Sequence, residues 1–357
     1  MTAGLLSRAN TLLAGHCRGR RVTAFAGPTV NRLYGERLRS YLGAHLAPGS
    51  WTVHVVRTGE RYKTMDTVER ICALAKADGL DRQGIMLALG GGVLCDMVGF
   101  AASMYARGIR YIKVNTTLVG QVDVGVGIKT GVNACGTKNL LGAYHPAHAS
   151  INDPGFLRTL PARQIRCGLA EIAKMAVIKD AALFETLERH PRAFQPGTGT
   201  SAETEDYILR TAMVSMLREL CPNLREHDLA RLVDFGHTFG PVIETASGYA
   251  VAHGESVAID MALSSHVARL LGLLSTTDCE RIVSLLHRLG LPAFDQATCT
   301  EELMAQALRG AWERRGRRLH LVVPHGIGTA GFVENVPPEV LRRALAELDQ
   351  ARQLAVV

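Results

Sequence analysis

Three side chains in the second half of the chain could bind a divalent metal ion: Glu171, His237 and His253. A carboxylate and two imidazoles are usual ligands of a catalytic zinc, which keeps a further position open. Their separations of 66 and 16 residues match no recognised metal spacing, so a structural role for each buried histidine stays an alternative. Lys174 follows Glu171 by one helical turn, and a simple ion pair is possible. The otherwise apolar surroundings, 168–178, favour a buried site.

A second set of candidates follows two apolar runs in the first half of the chain. Three glycines at 90–92 come directly after one run and precede a helical pattern, with Asp96 close behind. Without Cβ atoms the backbone can approach a phosphate, and a helix N-terminus offers unpaired N–H groups. Thr116 and Thr117 end the next apolar run and add hydroxyls. The pattern favours a nucleotide site, with a simple tight turn as the alternative.

Cationic and amide side chains gather in a glycine-rich segment between the two halves. Lys129, Lys138 and Asn139, together with the earlier Arg107, could hold a phosphate group by charge-assisted hydrogen bonds. The two lysines stand in a stretch without acidic residues, whereas surface charge runs usually mix both signs. Asp123 precedes them and could accept a hydrogen bond from a sugar hydroxyl. Scattered, solvated cations are the alternative interpretation.

The elements that would position these groups alternate between strand and helix in the first half. Strands are predicted at 21–27, 51–58, 84–89 and 111–115, and helices at 30–46, 65–77 and 93–105. This alternation predicts a parallel sheet, which binds ligands at the carboxyl ends of its strands. Helices alone are predicted from 157 onward, at 164–183, 204–219, 229–246, 253–271 and 278–289. We therefore expect two domains, 1–156 and 157–357.

Composition and charge exclude several classes of protein. With 47% hydrophobic and 20% charged residues, the 357-residue chain is neither disordered nor fibrous, and it contains no apolar run long enough to span a membrane. The net charge of +7 reflects 33 arginines and seven lysines, a bias typical of codon usage, with an anion-attracting site as the alternative. A single basic cluster, Arg314, Arg315, Arg317 and Arg318, does not predict a nucleic-acid partner. Eight scattered cysteines predict reduced thiols and a cytoplasmic protein.

Together these motifs resemble one family, the sugar phosphate cyclases, whose founding member is 3-dehydroquinate synthase. The resemblance rests on GERYKTMDT, GGGVLCDMVGFAAS, MYARGI, NTTLVGQVDVGVGIKTGVN, GTKNLLGAYHP, LRTLP, GLAEIAKMAVIKD, DFGHTFGP and AHGESVAIDMA. It implies a two-domain α/β plus all-α architecture, the dehydroquinate synthase-like fold. A Rossmann-like NAD-binding domain would occupy 1–156, and a helical metal- and substrate-binding domain 157–357. It also implies tightly held NAD, one zinc or cobalt ion, a sugar phosphate substrate and a homodimer.

The resemblance also implies a role for each motif residue. The metal ligands would be Glu171, His237 and His253. The NAD contacts would be Glu60, Lys63, Gly91, Gly92, Asp96, Thr116, Thr117 and Thr159, while Gly27 stands where the family has a ribose-binding aspartate. The substrate contacts would be Asp123 and Lys174 on hydroxyls, Lys129, Asn139 and the partner subunit's Arg107 on the phosphate, and Lys138 between cofactor and substrate. The family's reaction is oxidation of an alcohol by NAD, β-elimination of phosphate, re-reduction, ring opening and intramolecular aldol closure.

Departures from the dehydroquinate synthase pattern indicate which cyclase this is. Asp234 replaces the asparagine before the Gly-His-Thr motif, Pro241 replaces the following histidine, and Ala230, beside Arg231, replaces a carboxylate-binding arginine. No lysine follows Lys179, so two carboxylate-binding lysines are missing. An aspartate in a desolvated pocket would repel a substrate carboxylate. We therefore expect a substrate with an uncharged head, sedoheptulose 7-phosphate, and place Asp234 in the catalytic set.

The segments ELCPNLRE and DFGHTFGP resemble those of the 2-epi-5-epi-valiolone synthases, which form a C7 cyclitol for natural product biosynthesis. Alternatives are a 3-dehydroquinate synthase, or a 2-epi-valiolone or desmethyl-4-deoxygadusol synthase acting on the same heptulose phosphate. Outside the class, a metal-dependent polyol dehydrogenase or an inactive sugar-phosphate-binding protein would have the same fold. The intact set of metal-ligand candidates, with Lys174 beside it, argues against an inactive protein.

Overall fold

The structure is a computed structural model that describes residues 1–314 and 316–355. The chain divides into two compact units, Met1–Leu160 and a second that starts at Pro161. Arg315 of the basic cluster lies outside the described residues. No helix in the described part of the chain combines the length and apolar character needed to cross a membrane. All eight cysteines are free thiols, as their spacing predicts.

The first unit contains seven strands, of which five form a parallel sheet. The strands are β1 (Val22–Ala26), β2 (Trp51–Val55), β3 (Ile85–Gly90), β4 (Arg110–Asn115), β5 (Lys129–Ala134), β6 (Thr137–Tyr144) and β7 (Ala149–Asn152). The sheet has the order β2-β1-β3-β4-β7. Strands β1 and β3 are buried along their whole length because an apolar cluster packs on each face of the sheet.

The helices of this unit are α1 (Leu12–Cys17), α2 (Pro28–His45), α3 (Met65–Ala77) and α4 (Gly92–Met104). The strands and helices predicted for this half are all present, with ends shifted by three residues or fewer. Gly90 pairs with Asn115 in the register of β3 and β4. Both strands therefore end at the same edge of the sheet. The glycine turn that follows β3 and the two threonines that follow β4 lie at this edge.

The hairpin of β5 and β6 occupies the glycine-rich segment, where the sequence analysis predicts no strand. Its turn residues, Cys135 and Gly136, both have positive φ, 50° and 70°, the handedness that suits a two-residue hairpin turn. Gly131 and Gly142 lie opposite each other in the ladder. A Cβ on either glycine would press against the backbone of the other strand. These glycines hide the strand pattern in the sequence, and they also allow β5 and β6 to pair closely.

The second unit is helical and carries one hairpin. Its helices are α5 (Ala162–Lys179), α6 (Ala181–Arg189), α7 (Ala202–Leu220), α8 (Gly240–Ala246), α9 (His253–Leu270), α10 (Thr276–Arg288), α11 (Glu301–Arg314) and α12 (Pro338–Ala355). Strands β8 (Leu321–Gly326) and β9 (Thr329–Val333) pair antiparallel. The predicted combination of an α/β unit and a helical unit is confirmed, although the sequence analysis predicts neither this hairpin nor α11 and α12.

Two of the predicted helices are wrong in extent. The helix predicted at 164–183 is interrupted because Asp180 is extended and its carboxylate caps α6, accepting a hydrogen bond from the backbone N–H of Leu183. Of the helix predicted at 229–246, only α8 and one short 3₁₀ turn are helical. The backbone N–H groups of Thr238, Phe239 and Gly240, at the start of α8, bond to a carboxylate on α9, so the apolar spacing before them reflects burial and no continuous helix.

Close contact between α5 and α9 depends on Gly254. A Cβ at this position would overlap with the Cα atom and the carbonyl oxygen of Cys167, which are backbone atoms of α5. Backbone atoms cannot rotate away as a flexible side chain can. The first turn of α9 can therefore lie against α5 only if residue 254 is glycine.

We predict that Gly254→Ala lowers the free energy of unfolding by about 2 kcal/mol or more, because overpacking against backbone forces the helices apart. Gly310→Ala is the matched control. Its Cβ would lie 3.1 Å from the guanidinium end of Arg314, which can move. Urea unfolding followed by circular dichroism checks both variants. Equal stability of the two variants would contradict the packing argument.

Candidate functional site

Glu171 lies in the middle of α5, where every residue from 167 to 178 is buried. Its carboxylate is fully buried, and the equally buried ammonium of Lys174 lies 2.7 Å from Oε2. Apart from this ion pair and the nearby imidazoles, no group in the described part of the chain bonds to either oxygen of Glu171. A buried carboxylate without hydrogen-bond donors is costly unless a cation faces it. The surroundings of Glu171 therefore suit an ion.

Two imidazoles face the same carboxylate. His237 follows a 3₁₀ turn, and His253 is the first residue of α9. Their Nε2 atoms lie 3.8 Å and 3.2 Å from Oε1 of Glu171. One potential ligand atom of each of the three residues lies within 4.8 Å of the others. The structure thus brings together three residues that the spacing of the sequence could not connect.

The other ring nitrogen of each histidine is held by the protein. Nδ1 of His237 lies 3.0 Å from the carbonyl oxygen of Phe235, and Nδ1 of His253 lies 3.2 Å from Oε2 of Glu244. An acceptor at Nδ1 keeps the proton on that nitrogen and leaves the Nε2 lone pair available. Both lone pairs are therefore directed at the space beside Glu171. The sequence analysis does not single out Glu244, because its role depends on contact with His253.

The charges of this group are set before any ligand binds. Burial opposes ionisation of Glu171, but the ammonium of Lys174 and then the two histidines hold the pKa of its carboxyl well below the usual value. Burial and then the charge of Lys174 lower the pKa of His237 to about 4. An ionised carboxylate beside a neutral imidazole is the protonation state that metal binding requires.

Asp260 fixes the segment that carries His237. Its Oδ2 accepts hydrogen bonds from the backbone N–H groups of Thr238, Phe239 and Gly240, at 2.8, 2.6 and 2.9 Å. Ser264 donates to Oδ1 from the next turn of α9. Burial raises the pKa of Asp260 to about 6, against the effect of these donors. Asp260 belongs to the motif AHGESVAIDMA, but nothing in the spacing of the sequence shows its donors, so its role is visible only in the structure.

Asp234 is not the isolated carboxylate that the sequence analysis assumes. The guanidinium of Arg231 donates to Asp234 Oδ1 at 2.5 Å and also to Glu226. The negative charge of Asp234 is therefore partly compensated inside the protein. Any repulsion of a substrate carboxylate therefore comes from Glu226, Arg231 and Asp234 together, and not from Asp234 alone.

In the first unit, Lys63 connects two candidate nucleotide-binding segments. Its buried ammonium donates to Asp96 Oδ2 and Asn139 Oδ1, both at 2.6 Å. Asp96 lies in the first turns of α4, and Asn139 lies on β6. Asn133, which the sequence analysis does not single out, links Glu60 to this group: its amide donates to Glu60 Oε1, and its own Oδ1 accepts from the backbone of Asn139.

The glycine turn lies against the threonines that follow β4. A Cβ at Gly91 would press on Thr117, and one at Gly92 would press on Val124, so the close packing of the turn requires glycine. The hydroxyl oxygen of Thr116 is buried and lacks a hydrogen-bond partner among the described residues. Thr159, by contrast, pairs with the hydroxyl of Tyr34 at 2.7 Å. The turn thus combines free helix N–H groups with an unused hydroxyl, which suits a phosphate.

The remaining candidates surround the start of the β5–β6 hairpin or lie beyond α4. Asp123 is half-buried in a π-helical turn, and Lys113 holds the backbone just after it by donating to the carbonyl oxygens of Val124 and Gly127. Burial lowers the pKa of the Lys113 ammonium. The hairpin carries the exposed Lys129, the half-buried Lys138 and the exposed Asn139. Arg107 is exposed in a turn where it has a φ of 64°.

A helix-flanked parallel sheet with a glycine turn, together with a helical unit holding a carboxylate and two imidazoles, defines the class of nucleotide- and metal-dependent enzymes. Residues 53–167 match the 3-dehydroquinate synthase N-terminal family, and residues 168–310 match the 3-dehydroquinate synthase C-terminal family. The chain belongs to the 3-dehydroquinate synthase family, as the motifs predict.

Curated and solved relatives agree with this assignment. A 2-epi-5-epi-valiolone synthase of Streptomyces glaucescens is 68% identical over 98% of this chain and 90% of its own length. The solved 2-epi-5-epi-valiolone synthase of Streptomyces hygroscopicus subsp. jinggangensis 5008, with NAD⁺ and Zn²⁺ bound, superposes with a TM-score of 0.92 at 42% identity, covering 98% and 96% of the two chains. A 3-dehydroquinate synthase of Synechococcus sp. (strain CC9605) is 39% identical over 94% of this chain and 90% of its own.

We predict that Asp260→Ala lowers the free energy of unfolding of the second unit by about 3 kcal/mol, because it leaves four buried donors without an acceptor. The chain has two tryptophans, Trp51 and Trp312, so Trp312 fluorescence in a Trp51→Phe background reports on the second unit. Asp206→Ala, which breaks an exposed pair with Arg210, should cost under about 0.5 kcal/mol. Similar losses in the two variants would show that Asp260 does not anchor the segment.

Proposed function

We propose that the chain is a phosphate-eliminating sugar phosphate cyclase that converts sedoheptulose 7-phosphate to 2-epi-5-epi-valiolone. The observation that carries the proposal is the 68% identity, over nearly the full length of both chains, to a 2-epi-5-epi-valiolone synthase. The site agrees with it, since the second unit holds a preorganised metal-ligand set and the first a phosphate-suited turn. Such an enzyme is a lyase that requires NAD and a divalent metal ion.

The donor set of the second unit fits a zinc or cobalt ion. We propose Glu171, His237 and His253 as its ligands, which leaves positions open for substrate oxygens. The fully buried carboxylate of Glu171 and the Nε2 atoms directed at it support this assignment. Glu244 and the carbonyl of Phe235 would hold the two rings, as partners of the noncoordinating nitrogen usually do.

The edge of the parallel sheet in the first unit fits NAD. We propose the following NAD contacts: Glu60, Lys63, Gly91, Gly92, Asp96, Thr116, Thr117, Lys138 and Thr159. The unpaired hydroxyl of Thr116 and the close-packed glycine turn support them, since both offer donors to a pyrophosphate. Gly27 precedes α2 and offers no carboxylate to the adenosine ribose. Asp96, which is paired with Lys63, is an acidic side chain of this set that could accept a hydrogen bond from the cofactor.

Each remaining side chain has a role that its charge allows. When bound, NAD would take up and return a hydride and the metal ion would polarise a substrate oxygen. Lys129 and Asn139, with the partner subunit's Arg107, would bind the phosphate and stabilise its departure as an anion. Asp123 would accept a hydrogen bond from a sugar hydroxyl. Lys174 donates at the inner side of the metal-ligand set, where it keeps Glu171 ionised and can hold a substrate hydroxyl.

A homodimer and a cytoplasmic location complete the proposal. The exposed turn of Arg107 supports a role across a subunit boundary, because this side chain has no hydrogen bond or ion pair within the described part of its own chain. Eight free thiols suit a reducing compartment.

A 3-dehydroquinate synthase is the second candidate, since one such enzyme is 39% identical to the chain. Its substrate carries a carboxylate. The residues available to receive that group argue against it: the chain has no lysine after Lys179, and Arg231 is already bonded to two carboxylates.

Phosphate release in the presence of NAD and Zn²⁺ tests the proposal, with sedoheptulose 7-phosphate and the carboxylate-bearing substrate of 3-dehydroquinate synthases offered in parallel. We expect release from the heptulose phosphate only, and the NMR spectrum of 2-epi-5-epi-valiolone as product. Release from the acid alone would make the chain a 3-dehydroquinate synthase. Net NADH formation without phosphate release would make the chain a dehydrogenase. A different cyclitol as product would make it another kind of heptulose phosphate cyclase.

We predict that His237→Ala abolishes zinc binding and turnover together, because it removes one of only three protein ligands. Glu244→Gln should lower zinc affinity about 10- to 100-fold, because the ring of His253 loses its charged partner. Competition with a chromogenic chelator measures both affinities. His287→Ala, an exposed histidine on α10, is the control and should keep wild-type affinity. Full turnover of metal-free His237→Ala would refute the ligand assignment.

A further inference from the structure

Arg231 is the centre of a buried charge cluster, which we define as Glu226, Arg231 and Asp234. One arm of its guanidinium donates to Glu226 Oε1 and the other to Asp234 Oδ1. The side chains of Arg231, Glu226 and Asp234 are only 14%, 12% and 9% exposed. Both terminal nitrogens of the fork are therefore bonded to the chain's own carboxylates, and the three formal charges sum to −1.

The loop before Arg231 is shaped to bring Glu226 into this cluster. Glu226 has a φ of 54°, which is uncommon for a residue with a side chain. Two hydrogen bonds between the Asn223 side chain and the backbone of Asp228 close the loop around it. A strained residue inside a well-bonded loop is typical of functional segments. The strain at Glu226 is compensated by its contact with Arg231.

Backbone hydrogen bonds connect the cluster to the metal-ligand segment. The N–H of Asp234 donates to the carbonyl of Arg231, and the N–H of His237 donates to the carbonyl of Asp234. His237 therefore follows Asp234 within a single turn. The cluster holds this turn on its N-terminal side, and Asp260 holds it on its C-terminal side.

We infer that the charge cluster selects the head of the substrate by keeping Arg231 occupied. An available guanidinium beside His237 would bind a carboxylate through two parallel hydrogen bonds. Glu226 and Asp234 occupy both terminal nitrogens of the same guanidinium, its Nε is buried without a partner among the described residues, and the excess negative charge disfavours an acid. An uncharged polyol head meets no such penalty. This inference rests on the proposed function and deepens it, because it assigns the preference for a polyol head to named residues.

Removing the two competing carboxylates should release the guanidinium. The variant E226Q/D234N, loaded with Zn²⁺ and with NADH, which cannot take up a hydride and so prevents turnover, is titrated calorimetrically with sedoheptulose 7-phosphate and with a seven-carbon 2-keto sugar acid 7-phosphate. We expect the ratio of the two dissociation constants to shift at least 10-fold toward the acid. Adding R231M to this variant should remove the gain, since the receptor is then absent. D206N, which removes a carboxylate from the exposed Arg210 pair, should leave the ratio unchanged.

An unchanged ratio in E226Q/D234N, with wild-type zinc content and thermal unfolding, would overturn the inference, as would an equal gain in the triple variant. If the double variant does not fold, E226Q alone frees one arm of the Arg231 guanidinium. It should shift the ratio of the dissociation constants about 3-fold, and no shift in this variant would overturn the inference. In the double variant we expect the inhibition constant of the acid to fall and kcat on the heptulose phosphate to change less than KM. A general structural defect would not give this pattern. Failure of the wild type to release phosphate would overturn the proposed function, whereas the binding ratios test the cluster independently.

Discussion

The ionised carboxylate of Glu171, buried in the apolar centre of α5, constrains much of the second unit. A buried charge must be compensated, and the compensation comes from Lys174 on the same helix and from two imidazoles on other segments. Each imidazole needs an acceptor on its far side, which Phe235 and Glu244 supply. The close approach of α9 to α5 in turn requires glycine at 254. The charge of Glu171 and the close packing of α5 with α9 thus act on the same pair of helices.

In the first unit, the buried charges that need compensation are positive. The buried ammonium of Lys63 is compensated by Asp96 and Asn139, which belong to a helix and to a hairpin. Lys113 is likewise buried, and it bonds to carbonyl oxygens of the turn after Asp123. These cations fix polar loops against the sheet, Lys113 from within β4 itself. The loops at the strand ends are therefore ordered by a few charged contacts, and their positions are suited to binding a charged cofactor and a phosphate.

Charge compensation also bears on the choice between two reactions that use this fold. The relatives of the chain include both 2-epi-5-epi-valiolone synthases and 3-dehydroquinate synthases, and the family resemblance implies a substrate carboxylate only for the second kind. A single aspartate at 234 is a weak argument about such a group, because its charge depends on its neighbours. The pairing of Arg231 with Glu226 and Asp234 supplies a physical basis, since both terminal nitrogens of a cation that precedes the His237 turn are already bonded to carboxylates.

The sequence by itself determines the class of fold, the family and the identity of most candidate residues. Alternating apolar runs predict the parallel sheet, and consecutive motifs identify the family, because both signals are local along the chain. The grouping of Glu171 with His237 and His253 is a matter of tertiary structure, since residues far apart in sequence meet only when α5 and α9 pack. The same holds for Glu244, Asp260 and Arg231, whose roles depend on partners that no spacing reveals. The start of α8 was likewise decided by a distant contact, because its unpaired N–H groups, from Thr238 to Gly240, bond to a carboxylate on α9.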